Sequence, residues 1–122
     1  MTRLYFIATI LLSLAMHTSQ ARSKDVVISD LHGTDLLRLC KTPEGTNQAE
    51  FCSGFILGIR DGVPLTTNLR NAAPIFEEPS EAKQDQLKAV VVKYLNDHPE
   101  EHHKPAGLLV LFALRKAFPP GK

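Results

Sequence analysis

Two cysteines, Cys40 and Cys52, follow a segment with the properties of an export signal, and this combination restricts the fold more than any other feature of the sequence. The signal is expected to comprise Met1–Ala21, with a positively charged start, small residues before the cleavage position, and an apolar stretch too short to span a bilayer as a helix. An exported domain enters an oxidising compartment, where two thiols are expected to form a disulfide and not a metal or redox site. We therefore predict a single Cys40–Cys52 disulfide.

The remaining residues, 22–122, are enough for one domain with a modest core. The whole sequence has 14 Lys+Arg and 13 Asp+Glu, and removal of the signal takes away one arginine, which leaves a formally neutral domain. Nucleic-acid binding requires positive charge and aromatic stacking platforms, whereas this chain has no tryptophan, two tyrosines and no basic stripe. A second apolar span is also missing, so we expect neither nucleic-acid binding nor membrane association after signal cleavage.

Hydrophobic spacing predicts an all-α fold, a small bundle of about four helices stabilised by one disulfide. Asn47, followed three residues later by Glu50, is expected to cap the second helix, and Ser80 the third. Pro105 is expected in the first turn of the fourth helix, and only residues 26–29 look extended. The predicted helices lie near residues 34–42, 47–62, 80–97 and 105–118.

Each predicted helix has one apolar face. The first two faces each contain a cysteine, so packing of these helices against each other would bring the thiols together. The disulfide would close a loop of about a dozen residues and contribute on the order of 3 kcal/mol to stability. In chain order, the apolar faces comprise Leu36, Leu37 and Cys40; Cys52, Phe55, Ile56 and Ile59; Leu87, Val90, Val91, Tyr94 and Leu95; and Leu108, Leu111, Phe112 and Leu114.

Gly54, Gly58 and Gly62 recur at every fourth position of the second predicted helix. Glycine inside a helix costs about 1 kcal/mol relative to alanine, so another interaction must compensate. One interpretation is a flat stripe that lets another helix, for instance from a second copy of the chain, approach closely. The other interpretation is close packing within one chain, or fraying near Gly62. We expect the second, because glycine spacing is a weak signal outside membranes.

The segment Val63–Pro79 lacks helical or strand periodicity and contains three prolines among polar turn residues. This composition predicts a long surface connection. Long loops in small domains are often binding segments, and the alternative is a poorly ordered linker. Both interpretations remain open from the sequence.

The segment His98–His103 combines three histidines with two glutamates, residue types that bind zinc. His98 and His102 would share one face of a helical turn. However, Pro99 occupies the position where the metalloprotease motif has its glutamate. We therefore expect a polar connection between two helices, with zinc binding and a pH-responsive surface as alternatives.

The sequence lacks the motifs of the common catalytic classes. Cys40 is expected to be buried and oxidised, so it cannot act as a thiolate nucleophile. No serine lies in a Gly-x-Ser-x-Gly motif, and no glycine-rich loop carries an adjacent lysine for phosphate binding. We predict that the protein is not an enzyme and uses no cofactor or metal.

Four groups of residues carry a resemblance to a known family. They are Leu36–Cys40, Phe51–Phe55 with Gly58 and Asp61, Val90–Leu95 with His98-Pro99, and His103–Ala106 continuing to Ala117-Phe118-Pro119. In this order and spacing, from Thr34 to Phe118, the sequence resembles the Rap/Tai family of immunity proteins. These proteins protect bacteria from peptidoglycan amidase effectors delivered by type VI secretion.

The chain departs from the family pattern at two cysteine positions. The family usually has one further cysteine in a Cys-x-Pro ahead of the third helix and another after the closing Phe-Pro. Here Glu77 and Pro120 stand at the corresponding places. The joint loss of both cysteines is what a lost disulfide predicts, and it supports Cys40–Cys52 as the retained pair. It also predicts that the Val63–Pro79 loop is tied down less firmly than in relatives.

The resemblance implies a periplasmic helical inhibitor, with a possible homodimer, that blocks the cleft of a Cys/His amidase. Binding residues do not follow from the motifs, so the candidates are exposed connections between helices. They are Asn68, Arg70 and Asn71 in the long loop and Glu100, Glu101 and His102 between the last two helices. The alternative is a small helical periplasmic stress or chaperone-like protein without a toxin partner.

Overall fold

The computed structural model describes residues 30–121, so the predicted signal peptide and the predicted extended segment at 26–29 lie outside the described residues. Within residues 30–121 the fold is all-α, as predicted, and its only β pairing is an isolated bridge between His32 and Pro105. A short 3-10 helix, Pro99–Glu101, lies between the last two α-helices. The α-helices are α1, Gly33–Cys40; α2, Asn47–Leu69; α3, Gln84–Asp97; and α4, Ala106–Ala117.

The second helix starts at the predicted residue 47, and the other three helices start within four residues of the predicted positions. α2 is capped by Thr46, whose hydroxyl accepts a hydrogen bond from the amide of Ala49 at 3.2 Å, so the prediction that Asn47 is the cap was wrong. α3 begins at Gln84 and not at Ser80, and the side chain of Gln86 accepts a hydrogen bond from the Lys83 amide at 3.0 Å. In both cases the predicted cap is a residue type that often caps helices and lies close to the observed start. Capping preference alone does not determine which of several neighbouring polar residues begins the helix.

α2 continues seven residues beyond the predicted end near Gly62 and passes through Pro64. The prediction that Val63–Pro79 is entirely a loop was therefore wrong for its first half. Proline lacks an amide proton, which removes one helical hydrogen bond. Two threonine hydroxyls form local hydrogen bonds around the proline: Thr66 to the Gly62 carbonyl at 2.8 Å and Thr67 to the Pro64 carbonyl at 2.9 Å.

The core lies between the four helices and is closed on one side by the disulfide. Cys40, the last residue of α1, is bonded to Cys52 in the second turn of α2, with their Cα atoms 5.2 Å apart. Both cysteines are buried, so the predicted bridge is confirmed and it links the two helices inside the core. The fully buried large side chains of the core are Leu36, Ile56, Leu87, Leu95, Leu109, Leu114, Val91 and Val110.

The buried face of α4 differs from the expected one. Leu109, Val110 and Ala113 are buried there, whereas Leu108, Leu111 and Phe112 are only partly buried. The helix is apolar over most of its circumference, so hydrophobic spacing alone does not identify the inward face. The predicted face of α3 is confirmed: Leu87, Val91 and Leu95 are buried, and Val90 and Tyr94 pack against the core. In the part of the chain that the structure describes, no helix combines the length and apolar character needed to cross a membrane.

Candidate functional site

The end of α2 and the residues after it form an exposed projection, which we call the tip and define as Leu65–Pro74. Every residue of the tip is exposed except Thr67, which is buried. Asn71 turns the chain with a positive φ of 51°, a conformation that asparagine tolerates better than most residues. The Ala72 amide then donates to the Thr67 carbonyl at 2.8 Å, which closes the turn onto the helix. The tip is thus an ordered turn with hydrogen bonds of its own.

The chain that returns from the tip is attached to the body of the protein at three consecutive residues. Phe76 is buried in the core, with 4% of its surface exposed. The Glu77 amide donates to the Phe118 carbonyl at 3.1 Å, and the Glu77 carboxylate accepts from the Gly121 amide at 2.9 Å. Arg60 on α2 pairs with Glu78 at 2.8 Å. The tip is therefore held at one end by the helix and at the other end by the segment 76–78.

The tip brings together three of the predicted binding residues. Asn68, Arg70 and Asn71 are all exposed there; Asn68 lies in the last turn of α2 and not in a loop. Arg70 forms no ion pair with any residue in the range 30–121, so its guanidinium is available to an external acceptor. Leu69, with 78% of its surface exposed, adds an apolar contact beside these hydrogen-bond donors.

The other predicted binding residues lie in the turn between α3 and α4, where two of them have internal partners. The Glu101 carboxylate accepts hydrogen bonds from the Tyr94 hydroxyl at 2.7 Å and from the Lys104 ammonium at 2.6 Å. The His102 Nε2 atom lies 2.7 Å from the Leu95 carbonyl oxygen, so it carries the proton and donates. Glu100 is exposed and contacts the His98 ring. Glu101 and His102 therefore hold the turn together.

The electrostatics of this turn follow from the same contacts. Hydrogen bonds from Lys104 and then Tyr94 lower the pKa of Glu101 below its ordinary value. Burial raises the pKa of Tyr94 to about 12, and the hydrogen bond to Glu101 adds to the increase. At neutral pH the pair is thus an ionised carboxylate and a neutral phenol, an arrangement that stabilises the turn.

The histidine cluster shows no metal geometry. The segment after His98 is a 3-10 turn, His98 contacts Glu100 and Lys116, and His102 faces a backbone carbonyl. Among residues 30–121 no group of three or more His, Cys, Asp or Glu is placed to hold a metal ion. Both cysteines lie in the disulfide and are buried, so neither offers a thiolate.

Comparison of the sequence with models of known protein families gave a match. A family model described as Rap1a immunity proteins matches residues 32–120, a range that contains all four helices and the disulfide. The chain belongs to the Rap1a immunity protein family. No curated protein and no solved structure matched the chain in the other two comparisons. The resemblance drawn from the motifs is confirmed.

Membership of the Rap1a immunity family implies a role in immunity to a type VI secretion effector, and therefore binding to an effector protein. Such immunity proteins are typically not enzymes. The residues that bind the effector must lie on the exposed surface, because only groups that the fold leaves accessible can contact a partner. Of the predicted residues, Asn68, Arg70, Asn71 and Glu100 are exposed.

Sequence reasoning missed the exposed apolar residues of α2, which are Phe51, Leu65 and Leu69. They lie on the side of the helix opposite the buried Cys52 and Ile56. A signal was present, because Phe51, Leu65 and Leu69 are spaced to share one helical face with the three glycines. This pattern was not recognised because the helix was expected to end at Gly62, before Leu65 and Leu69.

Proposed function

We propose that this protein is a periplasmic immunity protein that binds and inhibits a peptidoglycan amidase effector of type VI secretion. Family membership supports the immunity role. The motif resemblance supports an amidase as the target, and the export-signal pattern of residues 1–21 supports the periplasm as the place where it is met. The structural observation that carries the proposal is the tip, an exposed projection with hydrogen-bond donors and an apolar side chain.

A projection of this kind suits an enzyme cleft for two reasons. Its shape is convex, whereas substrate sites are concave and bury most of what they bind. Its conformation is fixed before binding by the Ala72–Thr67 hydrogen bond and by the buried Phe76, so little conformational entropy is lost on association. Arg70 and the neighbouring asparagines would form hydrogen bonds with the polar groups of the amidase that bind its peptide substrate, and Leu69 would fill an apolar subsite of the amidase.

The turn between α3 and α4 is the second predicted contact region, through Glu100, Glu101 and His102. Glu100 is the most accessible of the three, because Glu101 and His102 have internal hydrogen-bond partners. A carboxylate at this place would pair with a basic group on the effector. Rim charges of this kind accelerate encounter more than they increase affinity.

The test is co-expression in the periplasm with candidate Cys/His peptidoglycan amidases, scored by lysis, together with inhibition of the purified amidase. We expect wild-type protein to prevent lysis, and Arg70→Glu to weaken inhibition of the purified enzyme at least tenfold. The control is Arg38→Glu, which makes the same charge change at an exposed residue of α1 and should inhibit as well as wild type.

Three results would count against the proposal. Lysis that continues at full rate with wild-type protein present would refute inhibition. Equal inhibition by the Arg70 variant and wild type would show that the tip is not the contact surface. A wild-type protein that suppresses aggregation of unrelated periplasmic proteins but never binds the amidase would favour the chaperone-like alternative.

A further inference from the structure

A groove runs along the junction between α3 and α4. It consists of three hollows of about 510, 200 and 340 Å³ that share lining residues and therefore lie side by side. Val90 lines the first two hollows, and Tyr94 and Lys116 line the second and the third. Measured along α3 from Gln86 to His98, the groove is about 18 Å long, which is roughly the length of five residues of an extended chain.

The first two hollows have a mostly apolar lining. Small side chains leave room above the floor, which is formed by the buried Ala113 and the half-buried Val90 and Phe118. Concave apolar surface of this kind binds ligands that contribute apolar groups of their own. The apolar lining residues are Ala82, Ala89, Val90, Ala113, Ala117 and Phe118.

Two cations in the third hollow have no carboxylate partner among residues 30–121. Arg115 is exposed and forms no ion pair or hydrogen bond in that range. The Lys116 Nζ atom lies 3.1 Å from His98 Nε2 and 5.6 Å from the centre of the Tyr94 ring. Because the ammonium can only donate, His98 Nε2 accepts, and the proton on Nδ1 is donated to Glu100 at 3.1 Å. Neither contact of Lys116 neutralises its charge.

The other charges that line the groove give it a direction. Lys93 donates to Asp97 at 2.7 Å, so these two charges in the middle of the groove offset each other. Glu81 lies in the hollow at the opposite end from Arg115 and accepts a hydrogen bond from the Ser80 hydroxyl at 2.9 Å. The groove therefore has unpaired positive charge at one end and a negative charge at the other, and an anion is favoured only at the Arg115 end.

The glycines of α2 lie on an open surface and not in a groove of this kind. A Cβ atom added at Gly54, Gly58 or Gly62 would meet nothing within 4 Å, so the expectation that these glycines pack inside one chain was wrong. The groove between α3 and α4 differs from that surface because its unpaired cations specify the charge of a ligand.

We propose that this groove binds an acidic segment of the effector protein, an extended stretch of chain with apolar side chains followed by a carboxylate. The apolar side chains lie on Val90 and Ala117, and the carboxylate accepts hydrogen bonds from Arg115 and Lys116. Binding breaks no internal ion pair, because neither cation has one, and hydrogen bonds between two charged groups are stronger than neutral ones. The inference rests on the proposed function only in naming the effector as the source of the segment.

A peptide titration tests the groove without the effector. The probe is the amidated pentapeptide acetyl-Leu-Ala-Leu-Ala-Glu, and its control is the same peptide with glutamine in place of the glutamate. In amide NMR spectra of the wild-type protein we expect the acidic peptide to shift the signals of Val90, Tyr94 and Ala117, and to bind about fivefold more tightly than the control, as two exposed ion pairs would give. The double variant Arg115→Gln/Lys116→Gln should bind both peptides equally. Ala117→Trp, which fills the groove from an exposed position, should bind neither.

Binding kinetics with the purified amidase test whether the effector uses the groove. The Arg115→Gln/Lys116→Gln variant should associate about fivefold more slowly than wild type, with a weaker dependence on salt, because unpaired charges at an interface accelerate encounter. The matched control is Arg38→Gln/Lys41→Gln, which removes the same two charges from exposed positions at the end of α1. This control should associate at the wild-type rate, which excludes an effect of net charge alone.

Several results would overturn the proposal. Equal binding of the acidic and neutral peptides to wild type, or an absence of shifts in the groove at millimolar peptide, would show that the groove does not select an acidic segment. Retention on phosphatidylglycerol vesicles that the double glutamine variant loses would assign the cations to a lipid surface. Protection of cells from an amidase that binds wild type and the double glutamine variant at the same rate would refute the groove alone. Selective binding of the acidic peptide by a protein that protects against no amidase would refute inhibition and leave the groove's selectivity intact.

Discussion

Reduction of the disulfide is expected to destabilise the domain, and the size of the effect follows from the length of the loop that the disulfide closes. The cysteines are separated by 12 residues, and closing a loop of this length lowers the entropy of the unfolded chain by about 10 cal/mol/K in the chain-entropy account. At 25 °C this entropy difference corresponds to about 3 kcal/mol. For a domain of this size, 3 kcal/mol lowers Tm by about 12–24 °C.

Urea unfolding of the oxidised protein, the reduced protein and a Cys40→Ala/Cys52→Ala variant separates two effects. Reduction leaves both sulfur atoms in the core, so it reports the loop entropy together with the local repacking of two thiols that are no longer bonded. The double alanine variant also removes two buried sulfur atoms and should lose about 1–2 kcal/mol more through the cavities it leaves. A difference below about 1 kcal/mol between the oxidised and reduced proteins, with both folded in water, would refute the entropy argument.

Three further substitutions test the packing and the polar turn. Gly33→Ala should lower the free energy of unfolding by about 1–3 kcal/mol, because the added Cβ would collide with the Leu109 side chain and lie 3.0 Å from the His102 Cα. Circular dichroism during urea titration measures this loss of stability. Gly58→Ala, the matched control, should raise the same free energy by about 0.5–1 kcal/mol, since its Cβ enters open space, and a loss of stability there would contradict the structure. Glu101→Gln should flatten the acid dependence of Tm. The lowered pKa of the Glu101 carboxyl stabilises the fold above its unfolded pKa of about 4.3, and wild type loses this stability as the pH falls through the folded pKa. Parallel Tm curves for the two proteins from pH 7 to pH 3 would count against this role.

The parts of the fold that were predictable are those set by strong local patterns. The buried face of α3 follows from apolar residues at helical spacing without a glycine or proline to interrupt them. The disulfide follows from having two cysteines in an exported chain, and the structure places them 5.2 Å apart at Cα. In both cases one dominant interaction determines the outcome.

The end of α2 was not predictable in the same way. Gly62 and Pro64 are both unfavourable in a helix, and local propensity alone ends the helix there. The helix continues because Thr67 is buried and the chain beyond it is anchored by Phe76, which are tertiary effects. For the same reason the tip was only partly predictable: it was identified as an exposed connection, whereas its helical half and its exposed leucines, Leu65 and Leu69, depend on where α2 ends.

The site of the missing cysteine pair gives a last prediction, which concerns the anchoring of the tip. The resemblance places the two absent family cysteines at Glu77 and Pro120, and in the structure Glu77 does contact this part of the C-terminal segment. Its carboxylate accepts a hydrogen bond from the Gly121 amide at 2.9 Å, and its own amide donates to the Phe118 carbonyl at 3.1 Å. A polar contact thus joins the two segments at the place where the resemblance implies a second disulfide in the family.

We therefore expect Glu77→Cys combined with Pro120→Cys to form a second disulfide without rearrangement of the fold. It would close a loop of roughly forty residues and raise the free energy of unfolding by about 4 kcal/mol, reduced by any strain in the bridge. Mass spectrometry after thiol alkylation measures bond formation, and urea unfolding beside a Glu77→Ala/Pro120→Ala control measures the gain. Two free thiols in the folded variant would mean that the segments are not close enough for the bridge, because a disulfide requires Cα atoms within about 7 Å. A bridged variant that inhibits the amidase as well as wild type would further indicate that the tip acts as a rigid projection, since its base would then be covalently fixed.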